Sequence, residues 1–138
     1  METDFYDAYK RHLEDAEYLY QDSRWANADQ LYGYSAECGL KCLMQRFGMQ
    51  LDARTGMPPN EGRGHIDEIW IKYETYRAGI GATGYTLPGE NPFDNWNISQ
   101  RYANKSNFSQ AIVDLHRLGV ETVKQLVNKA ILEGRLAI

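Results

Sequence analysis

Along most of this chain, apolar residues recur at steps of three and four, the period of a helix with one face buried. Phe5, Ala8, Tyr9, Leu13, Ala16 and Tyr20 form the first such stripe and predict a helix from about Asp4 to Gln21. Thr3 or Asp4 can cap it, and acidic residues near its start favour the helix dipole. After a break around Asp22-Ser23, a second helix is predicted from about Trp25 to Phe47. Its stripe is Ala28, Leu31, Tyr32, Ser35, Gly39, Leu40, Leu43 and Phe47. Gly48 stands where a left-handed C-terminal cap belongs. Gly33, Ser35, Ala36 and Gly39 are small residues inside this helix. A helix-interior glycine costs about 1 kcal/mol relative to alanine, so two of them predict the close approach of another helix.

The stretch from Met49 to Gly64, with Pro58, Pro59 and several glycines, reads as a loop. A shorter helix follows from about Ile66 to Arg77, with Ile66, Ile69, Trp70 and Tyr73 on one face. A second long connection, Ala78 to about Asn95, is broken by glycines and by Pro88 and Pro92, and a short helical turn carries Trp96 to Tyr102. The last helix is predicted to be capped by Ser106 or Asn107 and to run to about Glu133. Its expected buried face is Phe108, Ala111, Ile112, Leu115, Thr122, Val123, Leu126, Val127, Ala130 and Ile131. No strand-like alternation of useful length occurs. The expectation is an all-α bundle of four to five helices forming one domain over residues 1–138. The two long connections are expected to be its most mobile internal segments, with few residues able to anchor in a core.

Composition narrows the function classes. The chain of 138 residues carries a formal net charge of -4 and a pI of about 5.3. That balance argues against a general nucleic-acid coat, though a local basic patch is compatible with it. Two cysteines, Cys38 and Cys42, do not make a secreted disulfide scaffold. The opening METDFYDAYK is acidic and amphipathic rather than basic then apolar, and no stretch is apolar enough for a membrane span, so a cytoplasmic location is expected.

The segment from Asp15 to Lys41, DAEYLYQDSRWANADQLYGYSAECGLK, carries a helix ending in Ala16 and Leu19, a break at Asp22 to Trp25, and then Ala36, Glu37, Leu40 and Lys41. Later in the chain come His65-Ile66 at the start of the third helix, then Trp96 and the pair Arg101-Tyr102 before the last helix. In this order and pattern the chain resembles the HEPN family. The resemblance implies an antiparallel helical bundle, commonly a homodimer. It also implies a choice of roles: RNA-cutting toxins or defence effectors, partners of a nucleotidyltransferase-type protein, or binding modules.

The family's ribonuclease motif is an Arg followed after four to six residues by a His on the last helices. The chemistry needs a group that exchanges a proton near neutral pH and a fixed cation for the phosphate. No arginine here has a His at that spacing. Arg101, the positional match, is followed there by Ser106, Asn107 and Phe108, and an asparagine cannot exchange a proton. The absence counts against nuclease activity. Arg101, His65 and Asn107 remain the candidates for any surviving chemistry. Arg101, Tyr102, Trp96 and Lys105 form a mixture able to hold phosphate and stack a base. The competing reading packs Trp96 and Tyr102 at the core edge.

Other motifs lead to structural readings. Gly79 to Gly84 spells G-x-G-x-x-G, but a helix precedes it and a proline-containing stretch follows, so no dinucleotide turn is expected. Cys38 and Cys42 lie one turn apart without two further ligands nearby, and His12, His65 and His116 share no metal spacing, so no metal or cofactor is expected. Glu37 and Lys41 are placed for an i,i+4 pair. The leading expectation is a non-catalytic HEPN-type interaction protein that forms a homodimer or pairs with another protein, a nucleotidyltransferase-type antitoxin being one candidate. The alternatives are a metal-independent RNase toxin with a degenerate motif, and a bundle that binds RNA, a nucleotide or a small molecule in the cleft under the two long loops.

Overall fold

The computed structural model describes residues 1–136. They form four α-helices, α1 (Phe5–Gln21), α2 (Trp25–Arg46), α3 (Ile66–Gly79) and α4 (Gln110–Leu132). Three short 3-10 turns, Asn60–Gly62, Ile98–Tyr102 and Lys105–Asn107, lie in the connections, and no strand occurs among the described residues.

Local chemistry sets most helix ends where the sequence places them. Asp4 caps α1, its carboxylate accepting from the Asp7 amide at 3.0 Å. After α2, Gly48 takes φ +118, a left-handed geometry that ends the helix. α4 begins later than expected. Ser109 is the cap, because Lys105–Asn107 form a separate 3-10 turn capped by Asn104, and Phe108 is extended at φ -117, ψ 112.

α2 is the central helix and packs against all three others. It buries most of its predicted stripe, with Leu31 and Phe47 only partly covered, and also Asp29, Gln30, Ala36, Lys41, Cys42 and Met44. Gly39 serves the predicted close approach, since a Cβ there would lie 2.6 Å from Val123 of α4 and 3.1 Å from Tyr9 of α1. Gly33 serves a different neighbour. Its missing Cβ leaves room for the Trp96 indole, whose Cε2 stands 2.2 Å from where that carbon would be.

The expected antiparallel arrangement holds only for α1. Its C-terminal Tyr20 meets Asp114 near the start of α4, while its N-terminal Tyr9 meets Val123 and Gly39 through the shared close approach. α2, α3 and α4 run in the same direction. His65 opens α3 beside Glu37, and Tyr73 and Tyr76 farther along it lie by Phe47 and Gly48 at the end of α2. Likewise Asp29 meets His116 near the start of α4, and Phe47 meets Arg135 just past its end. Two parallel successions need two return connections as long as the bundle, which is why the chain has two long loops.

The second return is part of the core, contrary to expectation. Tyr85, Leu87, Phe93 and Trp96 are buried, and Phe93 fills the space between Trp70 of α3 and His116 of α4. Tyr73 donates its phenol to the Tyr85 carbonyl at 2.7 Å. The buried stripe of α4 is also rotated from the predicted one. It runs Val113, His116, Gly119, Val120, Val123, Val127 and Ala130, and leaves Ala111 and Leu115 exposed.

Candidate functional site

The polar residues of α2 that lie at successive turns on one face are Gln30, Tyr34, Glu37 and Lys41. Three elements converge on this row. From α1 comes His12, whose ring lies 5.5 Å from that of Tyr34. From the start of α3 comes His65, whose Nδ1 donates to Glu37 Oε1 at 3.1 Å. From the second return comes Trp96, with its ring 6.0 Å from Tyr34 and 6.4 Å from His65. Its indole N–H donates to the Asp29 carbonyl at 3.1 Å.

Glu37 is the hub of this row. Its second oxygen, Oε2, accepts from Lys41 Nζ at 2.8 Å, and both side chains are nearly buried, at 14% and 9% exposure. The i,i+4 spacing makes the pair possible, and burial makes it matter more than a surface pair. His65 is half-exposed and its Nε2 makes no hydrogen bond to the described residues. His12 is held below its ordinary range, first by burial and then by Arg11, with Asp15 and Glu37 opposing.

The candidate residues divide. Arg101 lies on the exposed 3-10 turn Ile98–Tyr102, stacked on Tyr102 with its guanidinium 4.8 Å from the ring centre. Tyr102, and less strongly Tyr34, raise the Arg101 guanidinium above its ordinary range. Trp96 thus lies beside both Tyr34 and His65, and Arg101 feels Tyr34 as well. Trp96 is 1% exposed, so its faces serve the core and not an incoming base, whereas Tyr102 is 79% exposed. Lys105 and Asn107 stand apart on the next turn. Lys105 borders a surface groove with the α1–α2 turn, and the Asn107 amide donates to the Asn104 carbonyl.

A second polar group lies wholly inside. His116 Nδ1 donates to Asp29 Oδ1 at 2.5 Å, its Nε2 is 2.7 Å from the Asn95 side-chain amide, and its ring stacks on Phe93 at 13°. Asp29 Oδ2 accepts from Gln100 at 2.7 Å. His116 and Asp29 are each 1% exposed, and every hydrogen-bonding atom of the pair has a partner, as burial of such groups demands. The arrangement latches the second return onto α2 and α4. Sequence reading missed this pair because both residues look like surface polars. The signal was there in the valines of α4, whose three-four spacing passes through position 116.

Gly79 to Gly84 runs from the last residue of α3 into a turn, with Gly81 and Gly84 at positive φ. Cys38 and Cys42 are free thiols pushed up by burial to about 12 and about 11, which leaves them unreactive. Among the described residues no group of three or more His, Cys, Asp and Glu is arranged for a metal ion, and no helix is long and apolar enough to cross a membrane. In comparisons with known proteins, the chain matches no family model, no curated protein and no solved structure.

Proposed function

We propose that this chain is a non-catalytic helical interaction protein of the HEPN kind that works as a homodimer or against a second protein, a nucleotidyltransferase-type antitoxin being a candidate for the latter. The observation that carries the reading is the outer face of α4. Leu115 and Leu118 are 55% and 66% exposed, and with Ala111 they make an apolar row at steps of four and three. That spacing is the seam by which one helix meets another. Beside the row runs a groove of about 620 Å³ between α1 and α4, lined by Leu13, Tyr20, Leu118 and Val120 together with the charged Glu17, Asp114, Arg117, Glu121 and Lys124. Charges of both signs at the edge suit a two-fold pairing, in which each copy's Lys124 can face the other's Glu121.

Light scattering on the full chain at micromolar concentration tests this. The expected mass is twice 15.9 kDa, and the double variant Leu115→Glu, Leu118→Glu is expected to return it to 15.9 kDa. A wild-type chain that is monomeric and captures no partner through this face would sink the reading.

One observation favours a ribonuclease reading. His12 stands beside Tyr34 and His65 beside Glu37, so two imidazoles border the polar row of α2, and the Arg101 guanidinium feels Tyr34 of that row. Against it, the two imidazoles do not touch and are linked only by way of Tyr34 and Trp96. Purified protein is expected to leave RNA intact in EDTA. Cleavage that His65→Ala or Arg101→Ala abolishes, with circular dichroism unchanged, would replace the leading reading with this one.

A further inference from the structure

We infer that the cavity beneath the first long connection is a binding site for a small organic anion, one with a phosphate or carboxylate head and an apolar body. The cavity measures about 370 Å³, within the range of small-molecule sites. Its polar side is made by Glu37, Lys41, Arg63 and His65, and its apolar side by Phe5, Met57 and Pro58.

The charge balance selects the ligand. Lys41 is nine-tenths buried yet uses only one of its three N–H donors, on Glu37. Glu37 is answered from both sides, with Lys41 on Oε2 and His65 on Oε1. Arg63 is fixed by its Nε, which donates to the Pro58 carbonyl at 2.8 Å. Its Nη1 makes only a long 3.5 Å contact with Asn60, and its Nη2 makes none among the described residues. The His65 Nε2 is likewise free. Two cations therefore stand against one carboxylate, and the unfilled groups of Lys41 and Arg63 are donors only. A buried ammonium with unfilled donors is costly unless an acceptor reaches it, and an anionic head supplies one.

The apolar side excludes a bare inorganic ion as the best occupant. Phe5 comes from α1 and Met57 and Pro58 from the loop, so a ligand body seated there would touch both and hold the loop against the bundle. Thr3 already ties them, its hydroxyl donating to the Gly56 carbonyl at 3.1 Å. This site lies on α2 away from the α4 face, so it stands or falls independently of the dimer reading.

Titration of the ¹⁵N-labelled full chain with phenyl phosphate, benzoate, inorganic phosphate and benzyl alcohol tests the inference. Phenyl phosphate or benzoate is expected to give saturable amide shifts centred on Gly56, Met57, Gly64 and His65, and the stronger of the two identifies the head group. Benzyl alcohol, with the body but no charge, is expected to give none. Arg63→Gln, at an exposed position, with its fold checked by circular dichroism, is expected to weaken binding about tenfold, and Lys41→Met at least as much. If Lys41→Met fails to fold, Arg63→Gln alone carries the test. No saturable shift at those amides up to about 10 mM of either anion would overturn the site. So would equal binding of the neutral alcohol, or unchanged affinity in Arg63→Gln. Inorganic phosphate binding as tightly as phenyl phosphate would overturn the apolar half of the inference.

Discussion

Asp29 shows how much one side chain can hold. Its carboxylate accepts from His116 and Gln100, and its carbonyl accepts from Trp96, so three parts of the chain meet on one residue of α2. Removing one partner of a buried pair leaves the other polar group without compensation. Asp29→Ala is expected to cost about 3–5 kcal/mol, read as a lower urea midpoint. Amides from Trp96 to Tyr102 should also exchange faster, because the latch on that segment is gone. His12 and Glu17 give a prediction in pH. His12 lies below its ordinary value of 6.5, chiefly through burial, so the unfolded chain binds the proton more readily than the folded one. Stability is therefore complete above 6.5 and falls as pH drops through the range just below it. Glu17 is lowered from 4.5 chiefly by its hydrogen bonds to Arg117, and its contribution, present above 4.5, is lost at more acid pH. Thermal melts across pH should show both losses. His12→Phe, which keeps a ring against Tyr34, should reduce the first, and Arg117→Met the second. An unchanged profile in either variant would count against its assignment.

At the scale of elements, the two long connections are unlike one another. The first carries a solvated turn in which the exposed Asp52 carboxylate accepts from the Arg54 and Thr55 amides. The second buries Tyr85, Leu87, Phe93 and Trp96. Hydrogen exchange tracks local burial and packing. Amides 52–57 are expected to exchange rapidly, and protected amides between 85 and 96 at rates nearer those of α4. Equal, fast exchange in both would contradict the packing described. The expectation that both loops are loosely anchored failed for the second because Pro88, Gly89 and Pro92 interrupt its buried residues Tyr85, Leu87 and Phe93. They show no helical or strand period, although each reaches the core separately.

At the scale of the molecule, α2 is the axis and the other elements are arranged around it. α1 and α4 meet chiefly through side chains. Arg117 forms two hydrogen bonds to Glu17 and lies 4.1 Å over the Tyr20 ring, and Tyr20 donates to Asp114. The groove between them stays open, with Leu115 and Leu118 beside it. Burial of these leucines would have to come from outside the chain. Leu115→Glu, Leu118→Glu is therefore expected to change the mass in solution while costing the dissociated chain little, within about 0.5 kcal/mol per exposed site. A comparable loss of stability in dilute monomer would mean that the leucines support the bundle itself.

Sequence alone determined the element inventory. The three-four spacing of apolar residues, the acidic cap at Asp4 and the left-handed Gly48 are local, and local rules read them. It also showed that the Arg-to-His spacing is missing and that Glu37 and Lys41 can pair, since both follow from position along one chain or one helix. Only the tertiary structure decided the direction of α3 and α4, because loop length permits either sense and packing chooses between them. Only it decided that Gly33 makes room for an indole, that His116 belongs to the core, and that His65 completes the carboxylate of Glu37. Each of these depends on partners 28 to 87 residues away, as the bonds from His65 to Glu37 and from His116 to Asp29 do. A polar residue's burial is set by whether such a partner arrives, and periodicity can mark the position, as the valines of α4 mark 116, without supplying the partner.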